Sequence, residues 1–230
     1  MRKLFLLLLA FHSITASAQK KDTSFILSKT QIESAFPQEQ RTRLGITFPI
    51  YRVYRYTDQS GQYYLTLTES RDLIGNDDTI SYKIRAFIHK IEKDSLRQML
   101  TLNDQIRKEE PSEGAIWFMT RWCLVQDIDK DGLTDIILPY CTVAMNGVDD
   151  GRIKIFVINK GKKIAIRHQN GVLDDERETV IDKAYYDLPA SIRTTVTQFM
   201  ESMVEKNKAI FPYKWQAAMK NKKTVINERH

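Results

Sequence analysis

Residues 127–135, with the sequence DIDKDGLTD, place four aspartates around one glycine. Carboxylates this close in sequence repel one another unless a cation or solvent screens them. Calcium is a hard cation that proteins bind through carboxylate and carbonyl oxygens, whereas magnesium takes fewer protein ligands and more water. The pattern therefore predicts a structural calcium ion in this loop. Its predicted ligands are Asp127, Asp129, Asp131, the Leu133 carbonyl and Asp135, with water completing the coordination shell.

The spacing of these residues matches the first three-quarters of an EF-hand loop, including the glycine of its tight turn. Where an EF-hand ends in a bidentate glutamate this chain has Leu138, and the flanking segments are apolar and β-branched. We therefore expect the loop to join two strands instead of two helices. A charged turn without an ion, held by hydrogen bonds from side chains to the main chain, is the alternative.

Two acidic clusters and one histidine are the remaining residues that could do chemistry. Asp149 and Asp150 precede a glycine, and Asp174, Asp175 and Glu176 form a second cluster, so the two clusters could supply a glycosidase-like carboxylate pair. His168 could act as a general base if Asp174 or Asp175 sets its pKa. Turn-capping aspartates and a histidine that only holds a loop are the alternatives, so whether the chain is an enzyme stays open.

Several function classes lack their sequence signals. None of the nine glycines falls in a phosphate-binding pattern, and no serine lies in a glycine-framed nucleophile turn. The net charge of +6 comes from lysines and arginines spread along the chain. Because nucleic-acid binding needs a concentrated basic surface, no nucleic-acid partner is expected.

The first 18 residues have the order of a secretory signal peptide. Arg2 and Lys3 precede the apolar run LFLLLLAF, and the small residues of 16–18 follow. The apolar run is shorter than the roughly 20 residues that span a bilayer, and no later segment is long and apolar enough. We expect cleavage after Ala18, which leaves residues 19–230 as one periplasmic or extracellular domain without a transmembrane segment.

Strand-like alternation dominates the middle of the chain. Residues 52–57 and 62–69 read as one hairpin, and residues 152–159 and 163–169 read as another around a Lys-Gly turn. Residues 81–92 favour a strand. The next segment, residues 95–102, fits a strand or a short helix. These segments predict an antiparallel meander.

The spacing of apolar residues changes from strand-like to helical near Pro189. Apolar residues then recur at helical spacing and share one stripe, namely Ile192, Val196, Phe199, Met200 and Met203. A second short helix is predicted over residues 213–220. The predicted class is α+β, in which an antiparallel β-meander with a single propeller-blade-like calcium hairpin packs against C-terminal helices that begin at about residue 189.

Cys123 and Cys141 lie nine residues on either side of Gly132. If the loop turns at Gly132, the two cysteines face each other across two strands and a disulfide is possible. A shifted register would leave two buried thiols on opposite faces. Both outcomes are consistent with the sequence.

Residues 125–140, VQDIDKDGLTDIILPY, resemble the calcium-binding repeat of FG-GAP and VCBS propeller blades, in which an apolar strand enters an aspartate loop and another leaves it. The resemblance implies the calcium turn. A whole propeller would repeat the loop, and this chain has one.

A wider resemblance covers about residues 116–220. The stretches NGVDDGRIKI, KGKKIAIRHQNGVLDDER, DKAYYDLP and AIFPYKWQAAMK look like an exported bacterial family that acts in surface polysaccharide biosynthesis. It implies an accessory or binding role in lipopolysaccharide or capsule production in a Gram-negative bacterium, with a surface glycan or an envelope protein as partner. A periplasmic glycan hydrolase or transferase that uses the acidic loops and His168 is the alternative.

The chain is also rich in aromatic residues that could stack on sugar rings if they reach the surface. They are Tyr51, Tyr54, Tyr56, Tyr63, Tyr64, Trp117, Phe118 and Trp122.

Overall fold

The computed structural model describes residues 23–75, 79–93, 95–109 and 113–228. The predicted signal peptide, residues 1–18, lies outside the described residues. Within the described part of the chain, no helix is both long and apolar enough to cross a membrane.

The described strands are numbered in chain order. They are β1 Thr23–Ile26, β2 Ile50–Asp58, β3 Gly61–Glu69, β4 Leu73–Ile74, β5 Thr79–Ile80, β6 Lys83–Glu92, β7 Ser95–Gln105, β8 Ala115–Phe118, β9 Leu124–Gln126, β10 Asp135–Val143, β11 Arg152–Asn159, β12 Lys162–Gln169, β13 Glu178–Ile181 and β14 Val225–Asn227. The α-helices are α1 Lys29–Ala35, α2 Gln38–Arg43, α3 Ala190–Glu205 and α4 Trp215–Lys220. Short 3-10 turns occupy Thr120–Trp122, Asp174–Glu176 and Lys183–Asp187.

These strands form two antiparallel sheets and one small ribbon. The N-terminal sheet has the order β1-β2-β3-β6-β7. The C-terminal sheet has the order β14-β13-β12-β11-β10-β8, and β9 also pairs with β10. Strands β4 and β5 pair only with each other.

The expectation of an α+β domain built on a single meander is therefore wrong. Strand makes up 44% of the structure and helix 23%, and the described strands close neither a barrel nor a propeller. Short strands at both ends of the chain, β1 and β14, account for part of the difference. Because they contain only three or four residues, their pairing depends on partners far away in the sequence and leaves no local period to recognise.

The main core lies between the two sheets. Leu65 and Leu67 of β3 belong to the same buried cluster as Ile136, Leu138 and Tyr140 of β10. Two residues of β10 that point to the opposite face, Ile137 and Cys141, belong to a second cluster with helix α3. Strand β10 is therefore covered on both faces, which explains why its sequence is a continuous apolar run instead of an alternating one.

Helices cover the outer faces of both sheets. Four residues of the predicted stripe, Ile192, Val196, Met200 and Met203, are fully buried against the C-terminal sheet, and Phe199 packs at its margin. On the N-terminal sheet, Phe36 beside α1 packs on the outward-facing side chains of its strands. The predicted helical stripe is thus confirmed, although it covers one face of a larger two-sheet structure.

The predicted hairpins are also confirmed. Strand β2 pairs with β3, β6 with β7, and β11 with β12. At the last turn both Lys160 and Gly161 have positive φ, as a tight two-residue hairpin connection requires. Residues 95–102 are strand and not helix, within β7.

The two cysteines are free thiols on opposite faces of the C-terminal sheet. In the register of β9 and β10, Gln126 lies opposite Asp135, so the hairpin centre falls before Gly132. As a result Cys141 lies opposite Trp117 of β8 and not opposite Cys123. Burial raises the pKa of Cys123 to about 11 and that of Cys141 to about 12.

Candidate metal site

The aspartate loop, residues 127–135, connects the end of β9 to the first residue of β10. The antiparallel pairing of β9 with β10 confirms that the loop joins two strands. Two of its residues have left-handed backbone, Lys130 at φ 61° and Gly132 at φ 88°. Glycine suits position 132 because of its left-handed backbone, and a Cβ atom there would also push the side-chain amide of Gln59 aside.

Three of the predicted ligand side chains converge. One carboxylate oxygen from each of Asp127, Asp129 and Asp135 lies within 4.8 Å of the other two. Asp135 is only 1% exposed, whereas Asp127 and Asp129 are half-buried. The three carboxylates therefore bring negative charge together around a space that opens toward solvent.

Main-chain amides of the loop orient these carboxylates. The Gly132 amide donates to Asp127 Oδ2 at 2.9 Å, and the Ile128 amide donates to Asp135 Oδ2 at 3.0 Å. The side chain of Asn159, on the neighbouring strand β11, donates to Asp135 Oδ1 at 2.7 Å. The loop is thus held by the hydrogen bonds expected of the ion-free turn.

The electrostatics of the cluster favour a neutralising partner. Burial raises the pKa of Asp135, and hydrogen bonds from Asn159 and Ile128 only partly offset this. The pKa of Asp129 is also raised, first by burial and then by the charges of Asp131 and Asp127. A bound cation would reverse both effects, because it stabilises the ionised carboxylates.

Asp131 is oriented differently from the other three aspartates. Its Oδ2 atom lies 2.9 Å from the ammonium group of Lys160. Burial raises its pKa, but the hydrogen bonds from Lys160 and from the Leu133 amide outweigh that effect and lower it overall. The roles of Asp131 and of the Leu133 carbonyl as metal ligands stay predictions.

The aspartate loop is also attached to the N-terminal sheet. The Gln59 amide, in the turn between β2 and β3, donates to the Gly132 carbonyl at 3.0 Å. The Thr134 amide donates to Oδ2 of the buried Asp58 at 3.0 Å. Asp58 accepts further hydrogen bonds from the amide and hydroxyl of Ser60. Sequence reasoning identified this turn only as a hairpin connection, because nothing local to it indicates a partner more than 70 residues away.

The described contacts of His168 hold neighbouring segments of the fold together. Its Nδ1 atom lies 2.9 Å from the Thr179 hydroxyl and 3.1 Å from the Glu178 carbonyl, and its Nε2 atom lies 2.8 Å from Asn170 Oδ1. The side chain is 3% exposed, and burial lowers its pKa to about 4. Both ring nitrogens are therefore used to join β12, β13 and the following loop, and at neutral pH the ring is uncharged.

The acidic clusters cap local structure. Asp150 accepts hydrogen bonds from the amide and the side chain of Asn146, which closes the turn that also contains Asp149. Asp174 lies 2.6 Å from Arg177 within the 3-10 turn that includes Asp175. These contacts match the turn-capping interpretation of both clusters.

Sequence reasoning missed a buried ionic network at the opposite end of the sheets. Arg152 of β11 forms a bidentate pair with Glu113, with Nη2 to Oε2 at 2.8 Å, and the Thr142 hydroxyl donates to Glu113 at 2.9 Å. Lys154 of β11 reaches Asp104 of β7 at 2.6 Å, which joins the two sheets. The only sequence signal is charged residues at strand positions that should face the core.

Most of the predicted aromatic platform is core. Tyr56 and Tyr63 stack with their ring centroids 5.0 Å apart and are largely buried, as are Tyr54 and Trp122. Tyr51 is the most exposed of the eight at 40%. A sugar-binding surface would therefore have to use the edges of these rings.

No model of a known protein family matches this chain, and neither do any curated proteins or solved structures. The resemblances to calcium-binding propeller repeats and to an exported polysaccharide family therefore stay predictions from the residues that carry them.

Proposed function

We propose that the protein is an exported accessory or binding protein in surface polysaccharide or lipopolysaccharide biosynthesis, stabilised by a calcium ion in the aspartate loop. Two features together support the calcium part of this proposal. Three carboxylates converge within 4.8 Å, and the loop that carries them is hydrogen-bonded to the turn between β2 and β3. An ion held there would stabilise the junction of the two sheets and leave their surfaces available to a partner.

The donor set suits calcium. Calcium takes about six to eight oxygen ligands in flexible geometry, so three carboxylates supply the charge while water and main-chain carbonyls supply the rest. Asp131 would be a fourth ligand if it exchanged Lys160 for the ion. Because Lys160 is well exposed, its ion pair with Asp131 is screened by water and opposes that exchange only weakly.

The polysaccharide part of the proposal is supported by the resemblance of residues 116–220 and by the predicted signal peptide. Its partner would be a surface glycan or an envelope protein. The enzyme alternative has less support, because His168 is enclosed by hydrogen bonds and the described contacts of Asp150 and Asp174 are local caps.

Thermal unfolding of the mature protein with excess calcium or excess chelator tests the calcium part. At a calcium concentration 100 times the dissociation constant, binding to the folded state adds about 2.7 kcal/mol. For a chain of this length that corresponds to an increase in Tm of about 5–10 °C. Asp129→Asn should abolish the increase, whereas Asp149→Asn, in a different acidic turn, should keep it. An identical Tm with calcium and with chelator would sink this part of the proposal.

A further inference from the structure

A groove of about 480 Å³ lies between the two C-terminal helices, on elements that do not belong to the aspartate loop. One wall is a face of α3 on which Ala190, Arg193, Thr197 and Glu201 recur at helical spacing, beside the stripe that packs on the sheet. The other wall comes from α4 and from the 3-10 turn Lys183–Asp187. The groove volume lies within the range of about 300–1,000 Å³ that is typical of small-molecule sites.

Arg193 has a charged group that the described part of the fold does not use. Its Nε atom is enclosed by protein, and no described group accepts a hydrogen bond from it. The guanidinium group is also in none of the described ion pairs. The backbone of the same residue is fixed, because its carbonyl accepts from the Tyr185 hydroxyl at 3.2 Å and from the Thr197 hydroxyl at 3.0 Å. An enclosed donor without an acceptor indicates a bound water, ion or ligand.

A second cation reaches the groove from α4. Lys220, the last residue of that helix, lines the groove, is exposed and belongs to none of the described ion pairs. Glu201 is the carboxylate of the described lining, and it follows Arg193 by eight residues on the same helix. That spacing puts Glu201 about 12 Å farther along the helix axis. The lining therefore carries two cations against one carboxylate, which lies about two turns from Arg193.

The segments around the groove add further positive charge. The hydroxyl of Tyr186, which lines the groove, donates to the Lys223 carbonyl, and Lys222 is the preceding residue. Asp187 opposes these lysines from the end of the 3-10 turn, outside the described lining. Among the described groups no side chain caps α3 and its first turn has no acidic residue, so the positive end of its dipole stays unneutralised there. The charges of this region favour an anionic ligand.

A phosphate monoester matches these donors better than a carboxylate does. It carries about 1.5–2 negative charges at neutral pH and has three acceptor oxygens, so Arg193 and Lys220 can share one such group. A carboxylate has a single charge and would leave one of the two cations unneutralised. The side chains of Thr194, Gln198 and Gln216 also line the groove and are available for hydrogen bonds to the rest of the ligand.

We propose that the groove between α3 and α4 binds a phosphate monoester, held by Arg193 and Lys220. The inference goes beyond the proposed function, because it depends neither on the calcium ion nor on the polysaccharide resemblance. A soluble phosphate ester and a lipid headgroup both carry this group, and two titrations distinguish them.

The first titration follows the amide NMR signals of the isotope-labelled mature protein as glycerol phosphate is added at constant ionic strength. We expect saturable shifts in α3 and α4, and none with acetate at the same concentrations. The second titration measures sedimentation of the protein with phosphatidylcholine vesicles that contain or lack phosphatidic acid. Binding to either phosphate source that Arg193→Gln weakens supports the proposal and identifies the source. Binding to neither source, or equal affinity for acetate, would overturn it.

Single variants locate the site. Arg193→Gln should weaken phosphate binding about tenfold or more, because it removes a charge-assisted hydrogen bond. Lys220→Gln should weaken it about threefold, since an exposed cation contributes less. Glu201→Gln removes the opposing carboxylate and should strengthen it about twofold. The matched control is Lys206→Gln, an exposed lysine just beyond α3 and outside the described lining, which should leave the affinity almost unchanged.

The two changes at exposed side chains, Lys220→Gln and Glu201→Gln, keep the test valid even if Arg193→Gln fails to fold. Equal affinities of Lys220→Gln and Lys206→Gln would show only a general effect of net charge and would overturn the assignment. Unchanged binding in a folded Arg193→Gln would do the same.

Discussion

The Thr134 amide donates a hydrogen bond of 3.0 Å to the carboxylate of Asp58, which belongs to the other sheet and lies 76 residues earlier in the chain. Both residues are buried, so water does not compete effectively for either group. Together with the Gln59 to Gly132 hydrogen bond, this contact makes the aspartate loop part of the junction between the sheets.

Removing the Asp58 carboxylate should therefore weaken the fold at that junction. We expect Asp58→Ala to lower the free energy of unfolding by about 2 kcal/mol, because a hydrogen bond to a charged group contributes about 1.5–3 kcal/mol. Asp58→Asn keeps one oxygen that can accept from Thr134 and should lose less. Urea denaturation measures both, and Ser60→Ala shows how much of the loss belongs to the Ser60 hydroxyl. Equal stability of Asp58→Ala and the parent chain would contradict the role of this contact.

Gly132, the one glycine of the aspartate loop, should be costly to replace. Gly132→Ala introduces left-handed strain of about 1–2 kcal/mol and also forces the Gln59 side chain aside. Gly161→Ala is the matched control, since Gly161 also has positive φ but a Cβ there meets nothing within 4 Å. Chemical denaturation should therefore give Gly132→Ala a lower free energy of unfolding than Gly161→Ala. In a Gln59→Ala background the difference between the two should shrink, and a difference that persisted would rule out Gln59 as its cause.

Local sequence patterns predicted the parts of the structure that depend on local physics. The strand, aspartate loop and strand around Gly132 were recognised from residue type and spacing, and the buried stripe of α3 from its helical period. Three of the four aspartates do converge. Asp131 pairs instead with Lys160, which comes from the turn between β11 and β12 and could not be placed beside the loop from sequence alone.

The contacts that were missed are long-range. Asp58 and Gln59 meet the aspartate loop only because two sheets pack face to face, and Glu113 meets Arg152 of β11 across 39 residues of sequence. The cysteine pairing depended on a hairpin centre that the actual register places before Gly132. Because side chains alternate between faces, such a shift decides which groups meet.

Acid should destabilise the protein through its buried histidines. Burial lowers the folded-state pKa of both His89 and His168 to about 4, below the ordinary value of 6.5. The unfolded chain therefore binds protons from pH 6.5 downward, while the folded chain does not until about pH 4. The two histidines make their full contribution to the free energy of unfolding above pH 6.5. Between pH 6.5 and about pH 4 that free energy should fall by about 1.4 kcal/mol per pH unit for each histidine.

Two variants separate these histidines. His168→Gln should reduce the acid slope but also lower stability at pH 8, because it breaks the hydrogen bonds to Thr179 and Asn170. His89→Phe should reduce the slope without a loss at pH 8, since among the described groups nothing hydrogen-bonds to either ring nitrogen and the ring stacks on Phe87. Urea midpoints between pH 4.5 and 8 measure both effects, and parallel pH profiles for all three proteins would contradict the assignment.

The Arg152 and Glu113 pair offers a separate test of how the far end of the sheets is held. Burial raises the pKa of Glu113, but the hydrogen bonds from Arg152 and from the Arg107 amide outweigh it and keep the carboxyl ionised. Arg152→Met should therefore cost about 3–5 kcal/mol, because it leaves a buried carboxylate without its counter-charge. In the double variant Arg152→Met with Glu113→Leu no such charge is left, and stability should recover in part. Denaturation of the two single variants and the double variant completes the cycle. If the losses of the single variants simply added in the double variant, the two residues would not be coupled and the network would not stabilise this end of the fold.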